Sequence, residues 1–311
     1  MARGRRVRLT PRRRPAYLFR IPDAHSMNLA APFVHAPFSL DIGPLQLTGF
    51  GLAVLAAFGL SQIVTMRELT RRGHDLYAQT TPDIVFAALL GFLIGAKLYY
   101  VVLTGDPGAI FSRGGFVFWG GFMGSVALCW LTIKRKKLSF ARYADVAGIA
   151  IAGGYAVGRT GCFAVGDDYG RPWNGPLAFT FPNGAPPSTA ANMQDLFGIP
   201  LAPGTPPNQV IAVHPTQLYE TAMGFVMFLI LWRFRDHEHA EGWLFGLYCV
   251  LAGIERFIVE FFRAKDDQLT FGLTTAQVIA IAIALVGVIV MVARRTPRPG
   301  APGIHATAAA A

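Results

Sequence analysis

Residues 83–104 read DIVFAALLGFLIGAKLYYVVLT, an apolar run long enough to cross the hydrocarbon core of a bilayer as a helix. Further apolar stretches of near-spanning length recur at 48–66, 114–133, 144–163, 214–232, 242–262 and 271–293. The 311-residue sequence is 53% hydrophobic and only 15% charged, whereas soluble domains carry about 25% charged residues. We therefore predict an all-α polytopic membrane protein with about seven transmembrane helices.

Glycines spaced four residues apart occur inside two of these stretches, at Gly91 and Gly95 and at Gly154 and Gly158. Small residues at this spacing lie on one helix face and let a second helix approach closely. The two pairs therefore predict close helix contacts in the membrane domain.

The Lys and Arg residues of the connections predict the orientation, because basic residues are in excess on the cytoplasmic side. With the N-terminus outside, the inner connections hold 13 basic residues and the outer ones 4, if residues 1–26 are left out. Counting the eight Arg of that segment gives 13 to 12, which decides nothing. We predict the N-terminus outside and the C-terminus inside, a membrane domain over 27–295 and a disordered cytoplasmic tail over 296–311.

An Arg-rich leader, residues 1–26, holds eight Arg and one Asp, whereas the remaining chain has 20 basic and 17 acidic side chains. The net charge of +10 thus comes mostly from the leader, and we do not expect the membrane domain to bind nucleic acid. Two interpretations stay open for the leader. It binds RNA or anionic lipid or is disordered, or translation begins at Met27 and the leader is not made.

One outer connection, residues 164–213, is far longer than the others and contains nine Pro and almost no charge. Connections of this length are functional or disordered. A lid over a site at the outer leaflet and a plain flexible loop are both open interpretations. The three cysteines, Cys129, Cys162 and Cys249, form neither a disulfide framework nor a zinc-binding spacing.

Three basic residues, Lys97, Arg159 and Arg256, fall inside the predicted spans. Each costs about 2.5–3.5 kcal/mol at a helix centre, so such residues face the protein interior and indicate function by default. The alternative is structural pairing with a buried carboxylate, and Arg256 has a candidate partner in Glu260 at i+4, with Arg263 at i+7.

All three basic residues lie toward the predicted outer ends of their spans. We expect them to converge in a pocket with several cations and few carboxylates, which suits an anionic ligand such as a phospholipid headgroup. Arginine favours phosphate because its planar fork donates two parallel hydrogen bonds. His214 begins the fifth stretch and shares a helix face with Gln217, and it is either a general base or an interfacial polar residue.

Several segments of the sequence resemble the conserved blocks of one protein family. The segments GRTGCF at 158–163 and GDDYGR at 166–171 are similar to the signature of prolipoprotein diacylglyceryl transferases. HPTQLYE at 214–220, RFIVEFFR at 256–263 and GLTTAQ at 272–277 resemble further blocks of the same family. The order and spacing of the blocks match over residues 40–295.

The resemblance implies an enzyme of the bacterial inner membrane whose site opens to the periplasmic leaflet. It implies transfer of the diacylglyceryl group of phosphatidylglycerol to the lipobox cysteine in the signal peptide of a preprolipoprotein, giving a thioether and glycerol phosphate. The implied partners are phosphatidylglycerol, the preprolipoprotein signal peptide and membrane lipid, and no metal or organic cofactor is implied.

Residue roles follow from the matched blocks together with this chemistry. Arg159 and Arg256 are expected to bind phosphate, and Glu260 to orient Arg256. His214 and Asp167 are the candidates for the proton, because a thiol with a pKa near 8.5 needs a base or a positive field to form the thiolate. The other residues that we expect to contact phosphatidylglycerol are Lys97, Gln217, Arg263, Gly161 and Trp119.

The sequence departs from the family pattern at several polar positions. Trp119 stands in GFVFWGG, residues 115–121, where the family has histidine, and an indole cannot take a proton from a thiol. Cys162 replaces the signature asparagine, Asp167 the glutamate, and Phe50 a tyrosine. Three hypotheses remain: a working transferase, a divergent lipid-binding member with another transfer activity or none, and a transporter. A transporter is the least favoured, because neither a polar path through the midplane nor an internal repeat is evident.

Overall fold

Long helices dominate the computed structural model, which describes residues 32–42, 45–112, 115, 117–265, 269 and 272–296. The long helices of these residues are α1 (Gly49–Arg71), α2 (Asp75–Thr104), α3 (Phe118–Arg135), α4 (Phe140–Val165), α6 (Thr216–Arg233), α7 (Trp243–Val259) and α8 (Thr275–Ala293). A short α5 (Ala190–Asp195) and a 3₁₀ helix (Pro107–Phe111) lie in connections. The Arg-rich leader, and the C-terminal tail beyond residue 296, lie outside the described residues.

The all-α fold predicted from the apolar stretches is confirmed. Among the described residues, α1, α2 and α8 are long and apolar enough to cross a membrane, so the chain is a multi-pass membrane protein. Helix α7 has 17 residues and carries Glu255 and Arg256, so it falls short of the same criterion. Seven complete spans and their orientation stay predictions.

Glycines set the contact between α2 and α3. A Cβ added at Gly91 would overlap the carbonyl oxygen of Gly124, and one added at Gly95 would overlap that of Gly120. The two backbones therefore touch, and the close contact predicted from the Gly91 and Gly95 spacing is confirmed.

Helix α4 packs against α1, α6 and α7 and so lies at the centre of the bundle. A Cβ at Gly154 would overlap the Ser61 hydroxyl on α1, which confirms close packing at that position. At Gly158 an added Cβ would meet no described atom within 4 Å, so the contact predicted there is wrong. Gly158 lies one turn beyond Gly154 on the same face of α4, and there an added side chain would point into open space.

Residues 164–213 are folded around a hydrophobic core of their own, formed by Tyr169, Phe181, Met193, Ile199 and Val213. Strand β4 (Phe179–Thr180) pairs in parallel with β1 (Phe33–Val34). Strands β2 (Ser39–Ile42) and β3 (Leu45–Thr48) form an antiparallel hairpin that leads into α1. The folded connection 164–213 is named the lid, and its role as a cover over a site stays a prediction.

A polar network lies where α1 ends and where α4 and α7 begin. The buried Glu68 on α1 accepts hydrogen bonds from Arg71 and Arg72. The buried Asp145 on α4 accepts from the backbone N–H groups of Gly242 and Phe245 at the start of α7. Arg71 also pairs with Asp236, and Arg72 donates to the carbonyl oxygen of Arg235. These contacts tie the end of α1 and the start of α4 to the turn between α6 and α7.

Candidate functional site

Two arginines and two carboxylates form a closed ring where α4 and α7 end and α6 begins. Arg159 Nη1 lies 3.0 Å from Asp168 Oδ2, and Arg263 Nη2 lies 2.9 Å from Asp168 Oδ1. On the other side, Glu220 pairs with Arg159 and lies 3.6 Å from Arg263 Nη1. The ring joins the three helices through ion pairs. Its two contacts to Asp168 are charge-assisted hydrogen bonds, which are about twice as strong as neutral ones.

A third arginine stands beside the ring. Arg256 Nη2 lies 2.6 Å from Glu260 Oε2, as the i+4 spacing predicts, and Glu260 also lies 3.9 Å from Arg263 Nε. The side chain of Arg256 is 30% exposed, whereas those of Arg159 and Arg263 are 12% and 13% exposed. Arg256 thus has the most accessible side chain of the three arginines.

The structure corrects the expected charge balance of this pocket. We expected few carboxylates, but Glu220, Glu260 and Asp168 supply one for each of the three arginines. The physical reason is that a buried charge is strongly unfavourable unless an opposite charge pairs with it. From the sequence, only Glu260 could be predicted as a partner of an arginine, because Glu220 and Asp168 come from distant parts of the chain.

Lys97 lies on α2, in a different setting. Its Nζ donates to the carbonyl oxygen of Ser112 at 2.6 Å and to the Ser112 hydroxyl at 2.9 Å. Ile94 and Ile110 are among the residues that line an open groove of about 410 Å³ beside it. The expected convergence of Lys97 with the arginines stays a prediction.

Cys162 and Asp167 adjoin the arginine ring. Arg159 Nη1 donates to the Cys162 sulfur at 3.2 Å. The Cys162 sulfur and one carboxylate oxygen each of Asp167 and Asp168 lie within 4.8 Å of one another. Thiolate and carboxylate are metal ligands, but both oxygens of Asp168 already accept from Arg159 and Arg263, which disfavours a cation there.

Asp167 has the protonation behaviour of a candidate base. Burial, together with the charge of Asp168, raises the pKa of Asp167 to about 6, although Cys162, Arg159 and Arg263 act in the opposite direction. Its Oδ1 is buried and has no hydrogen-bond partner among the described residues. A carboxyl with a pKa near working pH and a free oxygen can exchange a proton with a neighbouring thiol.

Two residues at the start of α6 hold the backbone of this acidic pair. Gln217 Nε2 donates to the carbonyl oxygen of Asp167, and Thr216 Oγ1 donates to that of Asp168 at 2.6 Å. Gln217 is fully buried, and its Oε1 has no hydrogen-bond partner among the described residues. Its amide thus positions Asp167, and the expected contact of Gln217 with a headgroup stays a prediction.

His214 lies in an aromatic environment just before α6. Its ring stacks on Trp173 with centroids 4.3 Å apart, and Phe262 meets it edge-on at 5.2 Å. Its Nδ1 is 3.1 Å from the Tyr219 hydroxyl. Burial lowers the pKa of His214 to about 4, so the ring is neutral at physiological pH. These contacts fit a histidine that packs the lid against α6.

Two further predicted residues, Gly161 and Trp119, make apolar contacts. Gly161 faces α1, where an added Cβ would come within 2.6 Å of the Ala53 Cβ, so this glycine permits close helix packing. Trp119, at the start of α3, is 48% exposed and contacts Phe118 and Phe122 edge-on. Substrate contact by Gly161 and Trp119 stays a prediction.

Several polar residues of this region have no role in the prediction from the sequence. Glu220 and Asp168 complete the ring, and Tyr155 donates to the buried Glu255 at 3.0 Å. The available signal was that a carboxylate inside a span is as costly as a cation. Only basic residues were considered on that ground, so Glu255 and Glu220 were missed.

Known proteins match this chain over most of its length. The sequence profile described as prolipoprotein diacylglyceryl transferase matches residues 37–293. A relative from Nitratidesulfovibrio vulgaris strain Hildenborough, named phosphatidylglycerol–prolipoprotein diacylglyceryl transferase, is 31% identical over 264 residues, covering 81% of this chain and 91% of its own. Relatives of the same name from Pseudomonas paraeruginosa and Xanthomonas axonopodis pv. citri are each 30% identical, covering 82% and 85% of this chain and 92% and 94% of their own.

Proposed function

This chain belongs to the prolipoprotein diacylglyceryl transferase family, and we propose that it acts through the ion cluster of α4, α6 and α7. The enzyme transfers the diacylglyceryl group of phosphatidylglycerol to the cysteine thiol of a prolipoprotein. The sulfur of the acceptor forms a bond to a glycerol carbon, the carbon–oxygen bond to the phosphate breaks, and glycerol phosphate leaves with the bonding electrons.

The observation that carries the proposal is the exposed guanidinium of Arg256 beside the Arg159–Arg263 ring. Negative charge moves from the attacking thiolate to the leaving phosphate, and preorganised donors are most effective where that charge develops. Arg256 offers the accessible donors, while Glu260 keeps the guanidinium in place from its buried side. Arg263 lies next to it and shares Glu260 with it.

Asp167 is the better supported of the two candidate bases. It adjoins Arg159 and Cys162 within the cluster, and one of its buried oxygens is free to accept a proton. His214 is neutral and thus also able to accept one, but aromatic rings surround it and its Nδ1 faces Tyr219. We therefore assign the thiol proton to Asp167 and lid packing to His214.

A second candidate function is favoured by one observation, the indole of Trp119 where the family has a histidine. A divergent member of this kind would bind phosphatidylglycerol at the arginines without transferring its diacylglyceryl group. The transporter hypothesis has no such support, since the family consists of transferases.

We further propose that the enzyme lies in the bacterial inner membrane with this site in the periplasmic leaflet. Support comes from the two ends of α4, which begins at Phe140 beside Arg142 and reaches the ion cluster near its end, at Arg159. The ion cluster thus lies at the end of the bundle opposite to the basic connections, which were counted as cytoplasmic. The N-outside orientation requires this arrangement.

A lipobox peptide incubated with the full chain in phosphatidylglycerol vesicles tests the function directly. We expect a mass gain of one diacylglyceryl group on the peptide cysteine, and none in phosphatidylcholine vesicles or on a peptide with serine in place of that cysteine. Binding of phosphatidylglycerol by a folded protein that gives no mass gain would favour the divergent member instead.

A further inference from the structure

Asp168 holds the two ring arginines from the solvent side. Its two carboxylate oxygens accept separately, one from Arg159 Nη1 at 3.0 Å and the other from Arg263 Nη2 at 2.9 Å. Two oxygens of one anion that bridge two guanidinium groups are the arrangement by which arginines bind phosphate. Asp168 therefore makes the contacts that the two nonbridging oxygens of a lipid phosphate would make.

The two carboxylates of the ring differ in accessibility. The side chain of Asp168 is 41% exposed, whereas that of Glu220 is 2% exposed. Exposed ion pairs contribute little to stability because solvent screens them. Water and ligands thus reach the Asp168 side of the ring, and the Glu220 side is closed.

The backbone at Asp168 is fixed, so its side chain can turn away without moving the lid. Asp168 has φ 55°, a left-handed conformation that aspartate tolerates better than most residues. Thr216 Oγ1 donates to its carbonyl oxygen at 2.6 Å, and Gln217 holds the preceding carbonyl. Rotation about the side-chain bonds alone would release both arginines.

Resting on the proposed function, we propose that Asp168 occupies the position that the lipid phosphate takes, and that phosphatidylglycerol binds by displacing it. The charge balance supports an exchange rather than an addition. Arg159, Arg263, Glu220 and Asp168 sum to zero net charge when ionised, and a phosphodiester with one negative charge can replace Asp168 without altering that sum. A phosphate bound in addition would leave an uncompensated charge in a partly buried site.

Displacement gives the site selectivity for ligands that carry a phosphate. A neutral diacylglycerol cannot replace a carboxylate between two guanidinium groups. Asp168 thus acts as an internal competitor that weakens binding of every anion and excludes neutral lipids from the arginines.

Binding of short-chain dihexanoyl phosphatidylglycerol to the detergent-solubilised full chain, measured by calorimetry, tests this exchange without requiring turnover. We expect Asp168→Asn to bind this lipid about three- to thirtyfold more tightly than the wild type, the equivalent of two exposed ion pairs. Dihexanoylglycerol, which lacks the phosphate, should bind both proteins equally. Asp195→Asn, which neutralises an exposed carboxylate at the end of α5, should match the wild type.

The outcomes separate this proposal from the proposed function. A wild type that binds the two lipids equally would overturn both, since the arginines would then not bind phosphate. Phosphate-dependent binding that is unchanged or weaker in Asp168→Asn would overturn the exchange alone. If that variant does not fold, a structure of the wild type with the lipid decides: phosphate between Arg159 and Arg263 supports the exchange, and an unmoved Asp168 refutes it.

Discussion

Arg256 and Glu260 form an ion pair across one turn at the end of α7, with Nη2 and Oε2 2.6 Å apart. The side chain of Glu260 is completely buried, and that of Arg256 is 30% exposed. The pair therefore presents a guanidinium that is fixed on one side and free on the other. From the sequence alone, structural pairing and phosphate binding are alternatives for Arg256, whereas this geometry is compatible with both roles at once.

Replacing Arg256 tests the phosphate-binding role. We expect Arg256→Ala to lower kcat/KM by about 10²–10³-fold, the usual effect of removing one donor that stabilises developing charge. Arg256→Lys should recover part of this loss, because an ammonium keeps the charge but not the planar fork. The measurement is the rate of peptide lipidation in phosphatidylglycerol vesicles.

The matched control is Arg67→Ala, which removes an exposed arginine from α1 and should leave the rate unchanged. A normal rate in Arg256→Ala, with the folded protein confirmed by its thermal unfolding midpoint, would assign this arginine to structural pairing alone.

The pH dependence of the reaction tests Asp167 as the base. Because burial raises its pKa to about 6, the carboxylate that accepts the thiol proton predominates above that pH. The value of kcat/KM should therefore rise with pH and level off above about 6. Asp167→Asn should lower the rate and remove this limb, whereas Asp167→Glu should keep it.

An unchanged profile in Asp167→Asn would shift the assignment to another group. His214 titrates near 4, so a limb at that pH that disappears in His214→Asn would identify the histidine instead. The two candidates are thus distinguished by the position of the limb as well as by the variant that removes it.

Replacing Trp119 tests whether the reaction tolerates the loss of the family's histidine at this position. We expect Trp119→His to preserve or raise the lipidation rate, because imidazole can accept a proton and indole cannot. Trp119→Phe is the control, since it keeps an aromatic ring without a proton acceptor and should bring no gain. Inactivation by Trp119→His alone would mean that the site depends on the indole.

The sequence predicted the helices well wherever contact with lipid requires an apolar composition. The stretch 144–163 corresponds to α4, which extends beyond it at both ends, and 83–104 corresponds to the apolar part of α2. Helix α2 begins earlier, at Asp75, and continues through Pro82. Its first turns are more polar than a spanning segment, so an apolar pattern cannot detect them.

The candidate site was predicted only in part, for a physical reason. A cation inside an apolar stretch is visible locally, and so Arg159 and Arg256 were found. Their counter-charges depend on which helices pack together, and Glu220 and Asp168 reach Arg159 from α6 and from the lid. Only the i+4 partner Glu260 could be identified from spacing.

Gly95 provides a test of the backbone contact between α2 and α3. A Cβ at this position would overlap the carbonyl oxygen of Gly120, and rigid backbone atoms on both helices leave little room for adjustment. Gly95→Ala should therefore destabilise the protein by about 1–3 kcal/mol, as overpacking does, and lower the unfolding midpoint in detergent. Gly59→Ala makes the same chemical change on α1, where an added Cβ would meet no described atom within 4 Å. That variant should be neutral or up to about 1 kcal/mol more stable. Equal midpoints for the two variants would mean that the helices separate readily and that their contact contributes little to stability.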